Sequence, residues 1–213
     1  MRLLVICPHF APDTAPTGTV MTRIVTELAE RDHEIHVVTS LPWYREHRIE
    51  PGWAGRWRRT ETTGWGTITR IHPFPGDDKA NLARRALGFA GFSALALVAA
   101  CSAGRRDAGG RRRRIDAVLA MSPPLTLGPT GRAVGILRSA PLLFNIQDVF
   151  PDAAITTGSI TDPRVIRAAR WLERWSYRFA SAVTVLSDDL AANVSAKAGD
   201  RTAVHVIPNF VDT

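Results

Sequence analysis

The chain has 213 residues, of which 45% are hydrophobic and 22% charged. That balance supplies a sizeable core and excludes a disordered, highly charged segment. The net charge of +7 comes from Arg, since Lys occurs only at Lys79 and Lys197. Excess Arg points to an anionic partner, whether a phosphate ligand, an acidic membrane surface or nucleic acid; a plain basic, solvated surface is the alternative.

Arg2–Cys7 is a short continuous apolar run and predicts a strand buried on both faces. It breaks at once into Pro8-His9, too early for a signal peptide. Cys7 and Cys101 have no metal-ligand neighbours in spacing, so they read as buried free thiols in a reducing cytoplasm. A Pro-rich loop, 8–16, leads to a helix opening at Gly18-Thr19 and running to Arg31, with Val20, Met21, Ile24, Val25 and Leu28 as its apolar stripe. Ile35–Thr39 is the next strand. Ser40–Gly66 reads as a long aromatic and basic loop, of the kind that is usually functional or mobile. Thr67–His72 predicts a strand, Ala80–Ala103 an Ala/Leu-rich helix and Gly104–Arg114 a Gly/Arg linker.

Ile115–Met121 is a further strand, followed by Ser122-Pro123-Pro124 and a helix to about Arg138. Pro141–Ile146 is the strand after it. Asp162-Pro163 pairs an N-cap with Pro at the first helical position, so a helix runs from there to Phe179. Val165, Ala169, Leu172, Trp175 and Phe179 are expected on its buried face. Ala182–Leu186 is a strand, Ser187 caps a helix to Ala198, and Ala203–Ile207 closes the pattern. Strand and helix alternate throughout, which predicts an α/β, Rossmann-like, doubly wound parallel sheet with helices on both faces.

Ligands of such sheets bind beyond the carboxyl ends of the strands. Those ends carry His9, Gly18, Ser122, Gln147, Asp148, Ser187 and Asn209. A dinucleotide site is not expected: no G-x-G-x-x-G follows the first strand, and the second ends Val38-Thr39-Ser40 without a carboxylate. Gly18-Thr19 at a helix start suits close approach to an anion, or serves helix entry alone. His9 is a rim histidine or a structural one. Asp148 can bind sugar hydroxyls or orient a reacting group, or cap its own turn.

Several phrases carry a family resemblance. They are Pro8-His9-Phe10-Ala11-Pro12 with Gly18, then Leu28 to Val37, Ser122-Pro123-Pro124 and Gln147-Asp148-Val149-Phe150-Pro151-Asp152. Ala182 to Ser187 and Ile207-Pro208-Asn209-Phe210-Val211-Asp212 complete the set. Together they resemble the N-terminal domain of family 4 glycosyltransferases of the GT-B fold, in the branch similar to colanic acid and O-antigen transferases. The resemblance implies an acceptor-side domain over 1–207 and the start of an interdomain connector at 208–213, with the donor-binding domain absent. It implies sugar transfer from a nucleotide sugar with retention at the anomeric carbon, and no metal or other cofactor. Gly18 then approaches the donor's diphosphate, Gln147 and Asp148 stand beside the transferred sugar as catalytic residues, and His9, Thr19, Ser122, Ser187 and Asn209 bind substrate. Two departures stand out: Thr17-Gly18-Thr19 holds one Gly where many relatives have two, and Gln147 stands where many have His.

Ala86–Ala103 lacks charge and is flanked by Arg84-Arg85 and Arg105-Arg106. At that length and mild hydrophobicity it reads as a core or interfacial helix before a membrane span. With Arg56, Arg58, Arg59, Arg111 to Arg114, Trp53 and Trp57 it suits peripheral contact with the inner face of a membrane and a lipid-linked acceptor; a core helix with a solvated Arg cluster is the alternative. Nucleic acid is not expected as a partner, because the aromatics are not interleaved as a stacking platform. A non-catalytic binding module, or one subunit of a split transferase, is the rival reading of the whole chain.

Overall fold

The computed structural model of the chain describes residues 1–75, 82–107 and 109–210. The expected helix start at Ala80 and the Val211-Asp212 end of the connector phrase lie outside them. The strands are β1 (Arg2–Ile6), β2 (Glu34–Ser40), β3 (Arg58–Thr63), β4 (Gly66–Ile71), β5 (Ala117–Ser122), β6 (Leu142–Ile146), β7 (Ala182–Val185) and β8 (Ala203–Val206). The helices are α1 (Pro16–Glu30), α2 (Leu82–Ser102), α3 (Leu127–Arg138), α4 (Asp152–Thr156), α5 (Pro163–Arg178) and α6 (Asp188–Ala198).

The strands form one eight-stranded sheet in the order β3-β4-β2-β1-β5-β6-β7-β8. Every pairing is parallel except β3 with β4. Val5, Cys7, Ile35, Val37 and Met121 face Met21 and Val25 of α1, while Leu4, Ile6, Val118, Ala120, Phe144 and Val183 face the layer of α2, α3, α5 and α6. Apolar burial on both faces explains why β1 and β2 read as unbroken hydrophobic runs.

The expected 40–66 loop is corrected at its end: 58–63 form β3. Its run Arg58-Arg59-Thr60-Glu61-Thr62-Thr63 is polar on both faces, so hydrophobic periodicity carries no signal there. The available cue is the β-branched Thr content ahead of Gly64-Trp65-Gly66, since Thr63 pairs with Gly66 across a two-residue turn. Gly66 has φ +149°, and a Cβ there would lie 1.9 Å from the Ile35 carbonyl oxygen. The parallel pairing of β2 with β4 therefore requires glycine.

Helix α5 is also rotated from expectation. Of the expected stripe, Leu172 packs against the core and Ala169 and Trp175 are half-buried, but the fully buried residues are Glu173, Ser176 and Tyr177, and Val165 and Phe179 are each 46% exposed. Two polar demands turn it. Gly128 of α3 abuts Ser176, where a Cβ would lie 2.5 Å from the Ser176 Cβ, and Lys197 of α6 reaches Glu173 at 2.7 Å and Asp152 of α4 at 2.5 Å. Burial opposes the Asp152 carboxylate, but hydrogen bonds from Lys197 and Asn193 outweigh it and hold that carboxyl below its ordinary value. Burial pushes Glu173 up. Helix α2 packs Phe92, Ala96, Ala99 and Ala100 into the core. No helix among the described residues is long and apolar enough to cross a membrane.

Candidate functional site

The parallel strands deliver their carboxyl ends to one edge of the sheet, and the β1–α1 loop crosses the centre of that edge. The loop is held from several sides. Arg70 of β4, fully buried, donates from Nη1 to the Phe10 carbonyl at 3.4 Å and from Nη2 to that of Ala11, and its Nε pairs with Glu61 at 3.0 Å. The Ala11 N–H donates to Thr22 Oγ1 at 2.9 Å, and Ser40 at the end of β2 donates to the Pro8 carbonyl. Gly18 closes the fit: a Cβ there would lie 2.9 Å from the Cβ of His9. Its bare backbone is thus used to seat α1 against the loop bearing His9.

This scaffold fixes His9. Its Nδ1 lies 2.7 Å from Oδ2 of Asp13, whose side chain is fully buried. The other Asp13 oxygen accepts the Tyr44 N–H at 3.1 Å. An ionised carboxylate only accepts, so Nδ1 carries the proton and Nε2 is left as the free ring nitrogen. The imidazole stacks on Trp43 with centroids 5.6 Å apart and meets Tyr44 edge-on at 5.4 Å. Asp13 therefore joins the β1–α1 loop to the aromatic segment after β2.

These groups wall a cavity of about 500 Å³. Pro8 and His9 form one side, Trp43, Tyr44 and His47 another, and Phe89 and Phe92 of α2 with Pro123-Pro124 close it. Among the described residues no Asp, Glu, Lys or Arg side chain lines it. Nor is any group of His, Cys, Asp and Glu among them placed to hold a metal.

Of the residues expected at the site, His9 lines this cavity and the others lie outside its wall. Helix α1 starts at Pro16, so Gly18 and Thr19 sit inside its first turn, and the Thr19 N–H is already bonded to the Ala15 carbonyl at 3.0 Å. Ser122 is buried behind Pro123, and its carbonyl accepts the Gln147 N–H at 3.3 Å. Gln147 belongs to a polar chain along the ends of β6, β7 and β8. Asn145 donates to Thr184 at 2.8 Å, Gln147 donates to Asn145 at 2.7 Å, and Asn209 donates to Gln147 at 2.8 Å. Asp148 is exposed and accepts the Val149 N–H at 2.7 Å, capping its own turn. Ser187 caps α6 by accepting the Leu190 N–H at 3.3 Å. Asp13, Trp43 and Tyr44 are the participants that sequence reasoning missed. The one available signal was the four-residue spacing of His9 and Asp13 in a Pro-bounded loop.

A mostly parallel, eight-stranded α/β sheet with an aromatic-walled cavity at its carboxyl edge is the architecture of a GT-B-type domain. The chain matches the glycosyl transferase 4-like domain over residues 17–209, and it belongs to that family. It is similar to the putative colanic acid biosynthesis glycosyl transferase WcaI of Escherichia coli (strain K12), 24% identical over 158 residues covering 74% of this chain and 37% of that one. Its fold resembles that of sucrose-phosphate synthase from Thermosynechococcus elongatus, with a TM-score of 0.64, 11% identity, and coverage of 98% of this chain and 48% of that one. It also resembles Anabaena HepE in complex with UDP and glucose, with a TM-score of 0.51, 14% identity, and coverage of all of this chain and 45% of that one. The chain thus spans about half the length, or less, of these relatives.

Proposed function

We propose that this chain is the acceptor-side domain of a retaining glycosyltransferase. The full enzyme would move a sugar from a nucleotide sugar, without a metal, onto a lipid-linked glycan of the cell surface, working at the inner face of a membrane. One observation carries the assignment of sides: the cavity beside His9 has aromatic and proline walls and, among the described residues, no Lys or Arg side chain. A leaving diphosphate needs fixed positive charge or aimed donors, which this wall does not supply. A sugar face or an apolar acceptor moiety suits stacking on Trp43 and Tyr44, with His9 Nε2 free to accept a hydroxyl proton's hydrogen bond. Gln147 and Asn209, at the β6–β8 end of the same edge, are proposed to meet the transferred sugar, and Asp148 stands beside them.

The domain is proposed to end near Ile207, with Pro208 opening a connector to a donor-binding half. HepE's complexes with UDP support a uridine nucleotide sugar as the first donor to try. The test supplies labelled nucleotide sugars and a membrane extract as acceptor source, with this chain alone and joined to the donor-binding half of a relative. The expected result is label in lipid-extractable glycan with the joined protein only. Saturable glycan binding by the chain, with no transfer in either setting, would favour a non-catalytic binding module.

A further inference from the structure

Helix α5 turns an unusual face outward. At about 100° per residue, Trp171 lies nearly opposite the buried group Glu173, Ser176 and Tyr177, and it is 64% exposed. Arg167, Arg170, Arg174 and Arg178 are all exposed around it. With Trp175 and Phe179, whose rings stand 4.8 Å apart, they border a shallow recess of about 700 Å³. The acidic residues of this region are turned away or spent. Glu173 is buried against Lys197, Asp162 caps the helix through the Arg164 N–H at 2.7 Å, and Asp152, near enough to feel Arg170, is bonded to Lys197. The face therefore carries uncompensated positive charge around a protruding indole.

We propose that the outer face of α5 is the surface by which this domain sits on an anionic lipid bilayer. A helix face with an exposed Trp171 suits the headgroup layer, where amphipathic rings settle. Arginines flanking it keep their guanidinium heads among lipid phosphates while their stems lie along apolar surface. A protein partner would need an acidic surface shaped to this face, whereas a bilayer deforms to it. This surface belongs to a different helix from the α2 and 111–114 segments that the sequence suggested, and α2 spends its apolar face on the core. The proposal deepens the membrane-peripheral part of the reading above. It needs neither donor nor acceptor to be tested, so its failure is separable from failure of glycosyl transfer.

The test is sedimentation of the chain with vesicles of phosphatidylcholine alone and of phosphatidylcholine with phosphatidylglycerol. Binding is expected only to the anionic vesicles and weakens with salt. Replacing both Arg167→Gln and Arg174→Gln should weaken it about 25-fold, taking about fivefold per charge. The matched pair Arg111→Gln and Arg112→Gln should lose far less. Trp171→Ala should weaken binding with an unchanged melting curve, because the ring is exposed, and Trp171→Phe should recover part of the loss. Equal losses from the two arginine pairs, or wild-type binding by Trp171→Ala, would overturn the proposal. So would absence of binding to anionic vesicles, or tighter binding to duplex DNA with loss in the same α5 variants.

Discussion

His9 and Asp13 show how much of the site depends on single hydrogen bonds. Asp13→Asn can still accept the Tyr44 N–H, but its amide would donate to His9 Nδ1 and force the ring proton onto Nε2. In the full transferase we expect kcat/KM for the acceptor to fall roughly 10- to 100-fold, with a displaced pH profile and an unchanged fold; an unchanged profile would remove His9 from acceptor handling. A second residue-scale effect concerns Arg2, Glu34 and His36. Burial, then the Arg2 guanidinium, hold the His36 imidazole below its ordinary value of 6.5, and hydrogen bonds from Arg2 hold Glu34 down. Both folded-state values are depressed, so the unfolded chain binds protons more readily and acid favours unfolding. Thermal melts should show stability declining as pH falls below about 6.5 and again through the carboxylate range. His36→Gln should flatten the first decline; an identical decline in that variant would assign it elsewhere.

At the scale of elements, close backbone approaches decide placement. Gly66 lets β4 lie against β2, and β4 in turn carries Arg70 to the carbonyls that hold the His9 loop. Gly66→Ala should cost about 2–4 kcal/mol in chemical denaturation, because the clash is with backbone and the positive φ disfavours any side chain. A loss below about 0.5 kcal/mol, within the range of an ordinary surface change, would mean that the β3–β4 hairpin is not held as described. Helix α5 teaches the complementary lesson. Its apolar side chains predict a buried stripe, yet of these Leu172 packs on the core while the helix fully buries Glu173, Ser176 and Tyr177. Neither Gly128 nor Lys197 is near it in sequence, so no local pattern could have announced that rotation.

Over the whole molecule, charge and site are separated. Among the described residues no Asp, Glu, Lys or Arg side chain lines the cavity at the carboxyl edge, while arginines collect on α5 and at 111–114. The net charge of +7 thus reports on surfaces and says little about the cavity. The sheet is also unevenly covered: β1 and β2 are sealed on both faces, whereas β8 is largely exposed. The opposite edge, β3, is exposed as well, so exposure marks where the sheet ends. Label transfer from the joined protein alone is the outcome expected of the proposed donor-binding half.

The alternation of apolar runs with amphipathic helices was enough to read a parallel α/β sheet, because strands buried on both faces must be continuously apolar and helices must be periodic. The phrases at the strand ends were enough to read the family, and His9 was visible as a rim residue because it follows a buried strand directly. The partners of His9 were not visible. Asp13 reads as one more loop carboxylate until Tyr44 and Trp43, from a different connection, fold onto it. The outward face of α5 was hidden for the same reason. Which side of an amphipathic helix is buried depends on what packs against it, and those contacts come from segments far along the chain.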